Sequence, residues 1–395
     1  MSRSSGSTGP ASSGGVRAGE RPERRSPDLH VTPDASSRPS AGGVVVYRVG
    51  KQRVDSIDEH SRRLVRALVD AGHPATYVPD GLAAVRRARS RPDWILLQYM
   101  PFSYGRWGVA PGLIRDAIAL KRTTGARLGV LVHEAWIAMT DWRSCLLGGY
   151  QRLQLRSLMR VADAIAATTQ PVAEALGGGA VHVPVGSNIT PTAIARDVAR
   201  SRLGIDDELV VTLFGRGHPH RALEHAEEAL GALVARQGAD TLRVFNLGVD
   251  APALQVPSGL RVDTPGELPA ESVSLHLRAS DLLLMTFTDG VSTRRTTLMA
   301  GLAHALPVIG LRGTSTDGML LRHPEALVLT PAGDRDAFAR AVLDITADPA
   351  RLRSTGTAAR ALYANNFDWP AAVQRLLSAL NQPDGGSSHS PRAEA

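Results

Sequence analysis

The sequence predicts an α/β protein of two doubly wound domains that face each other across a cleft. Three observations carry that prediction. Short apolar runs of strand length alternate with amphipathic stretches of helix length, the pattern of strand–helix units around parallel sheets. The alternation runs through two successive series. And 395 residues, at roughly 100–200 per domain, suit two domains, each with its own core.

Residues 1–41 are rich in Ser, Gly, Pro and Arg without a hydrophobic period, so burial cannot offset chain entropy and a disordered tail is expected. Residues 382–395 read the same way. The first domain, 42–189, offers strands at 43–49, 94–99, 128–132, 164–168 and 181–185. Between the first two, residues 59–73 carry Leu64, Val65, Leu68 and Val69 as one helical stripe, with Gly72 as the stop. Residues 190–206, with Pro191 near their start, read as the connection. The second domain, 207–366, offers strands at 209–214, 242–247, 281–287, 307–311 and 326–329. Helices fit at 221–237, 270–279, 294–305 and 334–347, and a closing helix at 367–381. Ligands of such sheets bind in the loops after the strands.

Composition narrows the function. With 43% hydrophobic residues, wholesale disorder is excluded although aromatics make up only 4%. The net charge of +7 would suit nucleic acid, but among the 45 basic residues only Lys51 and Lys121 are lysines, which resembles GC-rich coding bias. Basic residues are diffuse, densest in Arg86 to Arg91 and the N-terminal tail, without the clustered footprint of a nucleic-acid binder. Anionic small substrates stay open, since planar guanidinium groups suit phosphates. No stretch approaches the roughly 18 apolar residues that span a bilayer. The start, MSRSSGSTGPASSGG, has no apolar leader core. One cysteine, Cys145, excludes an internal disulfide framework and reads as an inert buried residue. The expectation is a cytoplasmic, soluble protein, associated with membranes at most peripherally.

Two segments could carry chemistry. In LVVTLFGRGHPHR (209–221) a buried strand ends at Gly215, followed by Arg216, a Gly/Pro turn and Arg221 opening a helix. Two guanidinium groups and a helix N-terminus near one point would attract a phosphate or diphosphate; solvated arginines on a plain strand–turn–helix are the alternative. In TFTDGVSTRRTTLMAGLAHALPVIGL (286–311) a strand runs into Asp289, Gly290, Val291 and Ser292. Gly290 allows close backbone approach, Ser292 or Thr293 can cap the helix, and Arg294 and Arg295 add charge near its start. This too reads either as an anion site or as a capped structural helix.

These segments resemble the GT-B glycosyltransferases of the retaining, glycogen-synthase-like group (glycosyltransferase family four), whose two domains are Rossmann-like. Their second domain has a strand ending Gly-Arg with Lys five residues on; here Arg216 matches the arginine and Arg221 takes the lysine position. TPGELPAESVSLHLRASDLLLMTF (264–287), with its Gly266-x-Leu268 turn, and the closing FDWPAAVQRLLSAL (367–380) are similar to further segments of the group. The C-terminal helix is then expected to cross back to the first domain. One departure stands out. The group's two glutamates, eight positions apart, would fall at Ser292 and Ala300, so neither is a carboxylate; Asp289 could replace the first. The run DGVSTRRTT looks like a variant in which arginines take over this loop. In LVHEAW (131–136) the resemblance implies that His133 lies beside the donor sugar and that Glu134 orients it or touches the acceptor.

Weaker candidates complete the reading. Lys51 and Asp55 follow the first strand, where the group places an acceptor-side loop. Tyr99, Pro101, Phe102, Tyr104 and Trp107 form an aromatic loop that either lines an acceptor cleft or simply packs. His218, His220 and His225 are close in sequence but lack a metal-ligand spacing. Gly186 and Asn188 read as setting a turn.

The implied activity is transfer of a hexose from a nucleotide diphosphate sugar to an acceptor hydroxyl in glycan or glycoside biosynthesis, with retention. Arg216 and Arg221 would be catalytic with His133; Gly215, Asp289, Gly290, Val291, Ser292, Arg294, Arg295, Gly266 and Leu268 would bind donor; Glu134, Tyr99 and Lys51 would serve the acceptor. The resemblance implies no metal and no cofactor beyond the nucleotide sugar as co-substrate. A sugar-nucleotide epimerase of the same fold, or a catalytically silent sugar-binding protein, are the alternatives.

Overall fold

A computed structural model describes residues 43–47, 56–79, 92–217 and 220–381. The expected tails, Lys51, Asp55, Arg86 to Arg91 and His218 lie outside them. Two six-stranded sheets result, both wholly parallel among the described strands.

The first sheet holds β1 (Val44–Tyr47), β2 (Ala75–Val78), β3 (Trp94–Tyr99), β4 (Arg127–Val132), β5 (Ala164–Ala167) and β6 (Val181–His182), in the order β2-β1-β3-β4-β5-β6. Its helices are α1 (Ser56–Asp70), the single turn α2 (Pro101–Tyr104), α3 (Gly112–Thr124), α4 (Trp142–Met159) and α5 (Gln170–Leu176). β3 is buried along its whole length, as a strand covered on both faces must be. On one face Leu113, Ala117 and Leu120 of α3 and Leu155 and Leu158 of α4 pack onto Ile95, Leu97, Leu128 and Val130.

The second sheet holds β7 (Leu209–Phe214), β8 (Leu242–Leu247), β9 (Arg261–Asp263), β10 (Leu282–Met285), β11 (Val308–Arg312) and β12 (Leu327–Pro331), in the order β12-β11-β10-β7-β8-β9. Around it lie α6 (Arg196–Arg202), α7 (Leu223–Gln237), α8 (Ala270–Ala279), α9 (Thr296–Ala303), the turn α10 (Gly318–Leu321), α11 (Arg335–Thr346) and α12 (Pro349–Asn366). The last helix, α13 (Trp369–Leu380), crosses back: its Val373, Leu376 and Leu380 sit in the core of the first lobe with Val44, Leu64 and Leu68. Asp368 caps it, accepting from Ala371 N at 3.0 Å, and Pro370 sits in its first turn.

The structure departs from the sequence reading in several places. β2 and β9 were not expected; each is an edge strand, short and half-exposed, so neither shows a buried run. α3, α4 and α12 were also missing from the expected elements. The stretch read as a plain connection contains α6, whose Ala199 is fully buried with Ile205, Val210 and Phe245. The expected strand at 181–185 pairs over β6 and, through Val183 N donating to Ala167 O at 2.8 Å, one residue further; then the backbone bonds the other lobe, Val185 N donating to Thr293 O at 3.2 Å. Gly186 makes no turn. A Cβ there would lie 2.6 Å from the Trp369 indole, so glycine serves close approach of α13. Cys145, expected buried, is exposed on α4.

Candidate active site

In the second sheet, successive strands are added away from β7 through β8 and β9, and β10 then pairs on the other side of β7. Such a switch point leaves a crevice between the loops after the two strands. Here those loops are stitched together: Ala222 N donates to Thr286 O at 2.7 Å, Thr288 N to His220 O at 2.9 Å, and Arg221 bridges Phe287 in antiparallel fashion.

That stitch buries Arg221, which is 8% exposed. Its guanidinium carbon lies 5.8 Å from the Phe287 ring centroid and its Nη1 donates to Gly215 O at 3.2 Å, while Nε has no partner. Arg295 packs on the same ring, 3.6 Å from the centroid. It donates from Nε to Gly290 O at 3.3 Å and pairs through Nη2 with Asp289. The other Asp289 oxygen accepts from Arg294 Nη2 at 3.1 Å, and Arg294 Nη1 reaches across to Glu134 Oε1 in the first lobe, also at 3.1 Å. Burial brings the Arg295 guanidinium down to about 10; Asp289 opposes the shift and Arg294 adds to it. Burial lowers Arg221 as well. Arg295 at about 10 stays cationic at neutral pH. Three arginines thus face two carboxylates, and among the described residues Arg221 has no acidic partner. Spare positive charge in a partly dry site is an electrostatic match for an anion.

The loop is held by a glycine contact. Gly290 has φ of 94°, and a Cβ there would lie 2.3 Å from Thr316 Oγ1 and 2.4 Å from Gly313 N. Ser315 N donates to Asp289 O at 2.7 Å, fixing the aspartate backbone.

Opposite stands the end of β4. His133 is buried; its Nε2 meets Gln98 Oε1 at 2.8 Å, and its ring lies edge-on to His60, 5.0 Å between centroids. His60 is enclosed between His133 and Trp369, and burial lowers it to about 4, so it is neutral. A cavity of about 90 Å³ opens between the lobes, lined by His60, Met100, His133, Glu134, Arg294 and Thr296 among others. Thr296 begins α9, whose N-terminus therefore faces this space.

Asp317 joins the lobes beside the cavity. Its buried carboxylate accepts from Gln170 N at 2.5 Å in the first lobe and Thr293 N at 2.6 Å in the second. Thr293 Oγ1 also donates to Thr168 O at 2.9 Å.

The structure regroups the expected residues. Arg216 and Arg221 do not share one place: Arg216 is exposed, without an ion pair or hydrogen bond among the described residues, whereas Arg221 is buried. The physical reason is the pairing of Arg221 with Phe287, which draws only the second arginine inward. Its companion on the ring is Arg295. Tyr99 does not line a cleft; it is fully buried in the first core and its hydroxyl accepts from Gln154 Nε2 at 3.2 Å. Neither Ser292 nor Thr293 caps α9. Ser292 Oγ is buried without a partner, Val291 is core, and Thr293 serves the lobe contact. Ala300, at the expected second glutamate position, is buried in the core. Gly266, with φ of 74°, and Leu268 form the turn before α8, Leu268 packing on the core; among the described contacts none joins them to the arginines. His225 is enclosed beside Phe338, away from any ligand cluster, and the described residues contain no group of three metal-ligating side chains.

Sequence reasoning passed over Phe287, Gln98, His60 and Asp317. Gln98 carried a signal, a lone amide near the end of the apolar run WILLQY. The other three show their roles only through partners distant in sequence.

No family model matches the chain. Comparison with curated proteins finds similarity to a D-inositol 3-phosphate glycosyltransferase of Rhodococcus opacus, 27% identical over 219 residues, 50% of this chain and 48% of the relative. A GDP-mannose-dependent alpha-(1-6)-phosphatidylinositol monomannoside mannosyltransferase of Mycolicibacterium smegmatis is 28% identical over 230 residues, 54% of this chain and 60% of the relative. The chain thus spans about half the length of the curated relatives it matches. Among solved structures, sucrose-phosphate synthase from Thermosynechococcus elongatus superposes with a TM-score of 0.61 at 18% identity, covering 86% of this chain and 98% of that one. The chain has the GT-B fold. In this GT-B protein the arginine cluster lies on the second lobe's side of the interlobe cavity and the histidines on the first lobe's side. Among its described residues no helix is long and apolar enough to cross a membrane.

Proposed function

We propose that the protein transfers a hexose from a nucleotide diphosphate sugar to an acceptor hydroxyl, with retention of configuration. One observation carries the reading: the switch point of the second sheet holds buried Arg221, without an acidic partner among the described residues, against the same aromatic ring as Arg295. The task in such a transfer is to stabilise charge developing on the departing diphosphate, and preorganised guanidiniums in a water-poor crevice do this without reorganisation.

In this scheme the diphosphate lies on Arg221 and Arg295, with the N-terminus of α9 behind it. Arg216, on the solvent side of the same loop, closes over the nucleotide. The bond from the anomeric carbon to the diphosphate oxygen breaks, the acceptor oxygen bonds that carbon on the same face, and the acceptor proton passes to the departing diphosphate. The carboxylates at hand, Glu134 and Asp289, are both held by Arg294, which supports this route over a covalent adduct on either. His133, fixed by Gln98, offers its ring edge to the sugar.

Incubation with a panel of nucleotide sugars, with and without acceptors, tests the reading. Acceptor-dependent release of nucleoside diphosphate is expected. An isomerised donor formed without acceptor would make the protein an epimerase instead, and binding without turnover a sugar-binding protein.

A further inference from the structure

Among the described residues, nine large apolar side chains are exposed, and six of them fall in two stretches of the first lobe. Phe102, Trp107 and Val109 follow β3; Trp142, Leu146 and Leu153 lie on α4. The two stretches form one surface. Gln151 Nε2 donates to Trp107 O at 3.0 Å, and Gln154 both accepts from Ala110 N at 2.8 Å and donates to Gly108 O at 3.3 Å, strapping the loop to the helix. Trp107 has φ of 61°, uncommon for a bulky residue, and its side chain stays 63% exposed.

α4 is apolar on two opposite faces. Its inner face, Gly148, Gln151, Leu155 and Leu158, packs on the first lobe. At 100° per residue, Trp142, Leu146 and Leu153 lie within about 40° of one another on the outer face. They are 68%, 69% and 59% exposed, where a surface helix ordinarily turns polar groups to water. Charge on this face has one sign. α4 contains no Asp or Glu, while Arg143, Arg152 and Arg156 are exposed along it and Arg160 follows; the loop adds Arg106. Three of these arginines lie over indoles: Arg106 on Trp107, Arg143 on Trp142 and Arg152 on Trp136, at 5.7, 5.2 and 4.7 Å. Asp141 at the helix start is spent on capping, accepting from Arg143 N and Ser144 N.

We infer that this face docks on the surface of an anionic lipid bilayer. Tryptophans and leucines interleaved with arginines, without an acid on the helix, suit the boundary between headgroups and acyl chains, where indoles settle at headgroup depth and arginines meet lipid phosphates. Beside the stripe, a groove of about 200 Å³ sets Arg152 and Arg156 around Leu155, Met159 and Leu176, the same pairing of charge with an apolar floor. Docking is independent of whether sugar transfer occurs.

The test is co-sedimentation of the full chain with phosphatidylcholine vesicles with and without phosphatidylglycerol. Binding is expected only with the anionic lipid and should weaken as salt rises. Replacing Arg143 by Ser should weaken it about fivefold, the weight of one surface arginine. The combined W142S, L146S and L153S variant should lose most of it while keeping the parent's unfolding midpoint. Binding that survives this variant would arise elsewhere, for example in the arginine-containing residues 1–41, and overturn the assignment. So would a dimer in sedimentation velocity that the same variant dissociates, since a second copy would then cover the face.

Discussion

At the C-terminal edge of the second sheet, three arginines and Asp289 are locked by paired loops and a glycine that admits no side chain. At the corresponding edge of the first sheet stand His60 and His133, buried, with aromatic residues beyond. One lobe presents preformed positive charge; the other presents neutral histidines in an apolar frame, with Glu134 as its carboxylate, paired to Arg294. Under the proposed transfer, the contrast is a division of labour in which a diphosphate, constant in charge, is met by rigid cations, and hydroxyl-bearing partners by groups that desolvate at little cost.

The first way to break this comparison is to compare Arg221 with Arg216. Arg221→Ala should lower kcat about 100- to 1000-fold, the loss typical of a preorganised charge-stabilising donor. Arg216→Ala, at an exposed position, should cost less than about tenfold, and Arg221→Lys should recover part of the loss. Equal effects at 216 and 221 in steady-state kinetics would restore the pairing expected from sequence and remove the role given to burial.

Gly290→Val sharpens the view that the charged edge is rigid. With φ of 94° and a Cβ forced against Thr316 and Gly313, it should cost about 3 kcal/mol in urea unfolding. A neutral result would mean that the loop yields. Next comes the seam between the lobes. Asp317→Asn leaves one of its two backbone donors poorly matched and should cost about 2 kcal/mol, with the lobes then unfolding in separate steps by fluorescence. A single unshifted transition would show that α13 alone couples them.

The smallest effect concerns pH. Burial holds His60 and His304 near 4, against 6.5 for an exposed histidine. His304 donates from Nδ1 to Ala300 O at 2.7 Å, which opposes the shift without cancelling it, and meets Ser274 Oγ through Nε2 at 2.8 Å. Between pH 6.5 and 4 the unfolded chain binds protons that the folded one does not. Their contribution to stability is therefore complete above 6.5 and falls as pH drops toward 4. His60→Gln should flatten this slope in denaturant titrations; an unchanged slope would mean that His60 is not enclosed.

Much of the fold could be read from the chain because it depends on local pattern. Apolar runs such as WILLQY and LVVTLF became strands with the expected bounds, and Asp289–Gly290 marked a tight loop. α4 was missed because both its faces are apolar, which erases the periodicity that reveals a helix. β2 and β9 were missed because edge strands bury too little to show a run.

The sequence by itself determined two parallel-sheet lobes, a closing C-terminal helix and guanidinium-rich loops, since strand periodicity, glycine turns and residue charge are properties of neighbours along the chain; that the helix crosses back was implied by the family resemblance alone. Only the tertiary structure decided which arginines meet. The pairing of Arg221 with Phe287, the stacking of Arg295 on that ring and the reach of Arg294 to Glu134 join residues up to 160 positions apart. Burial and the electrostatics that follow from it are set by such distant contacts, not by the order of residues.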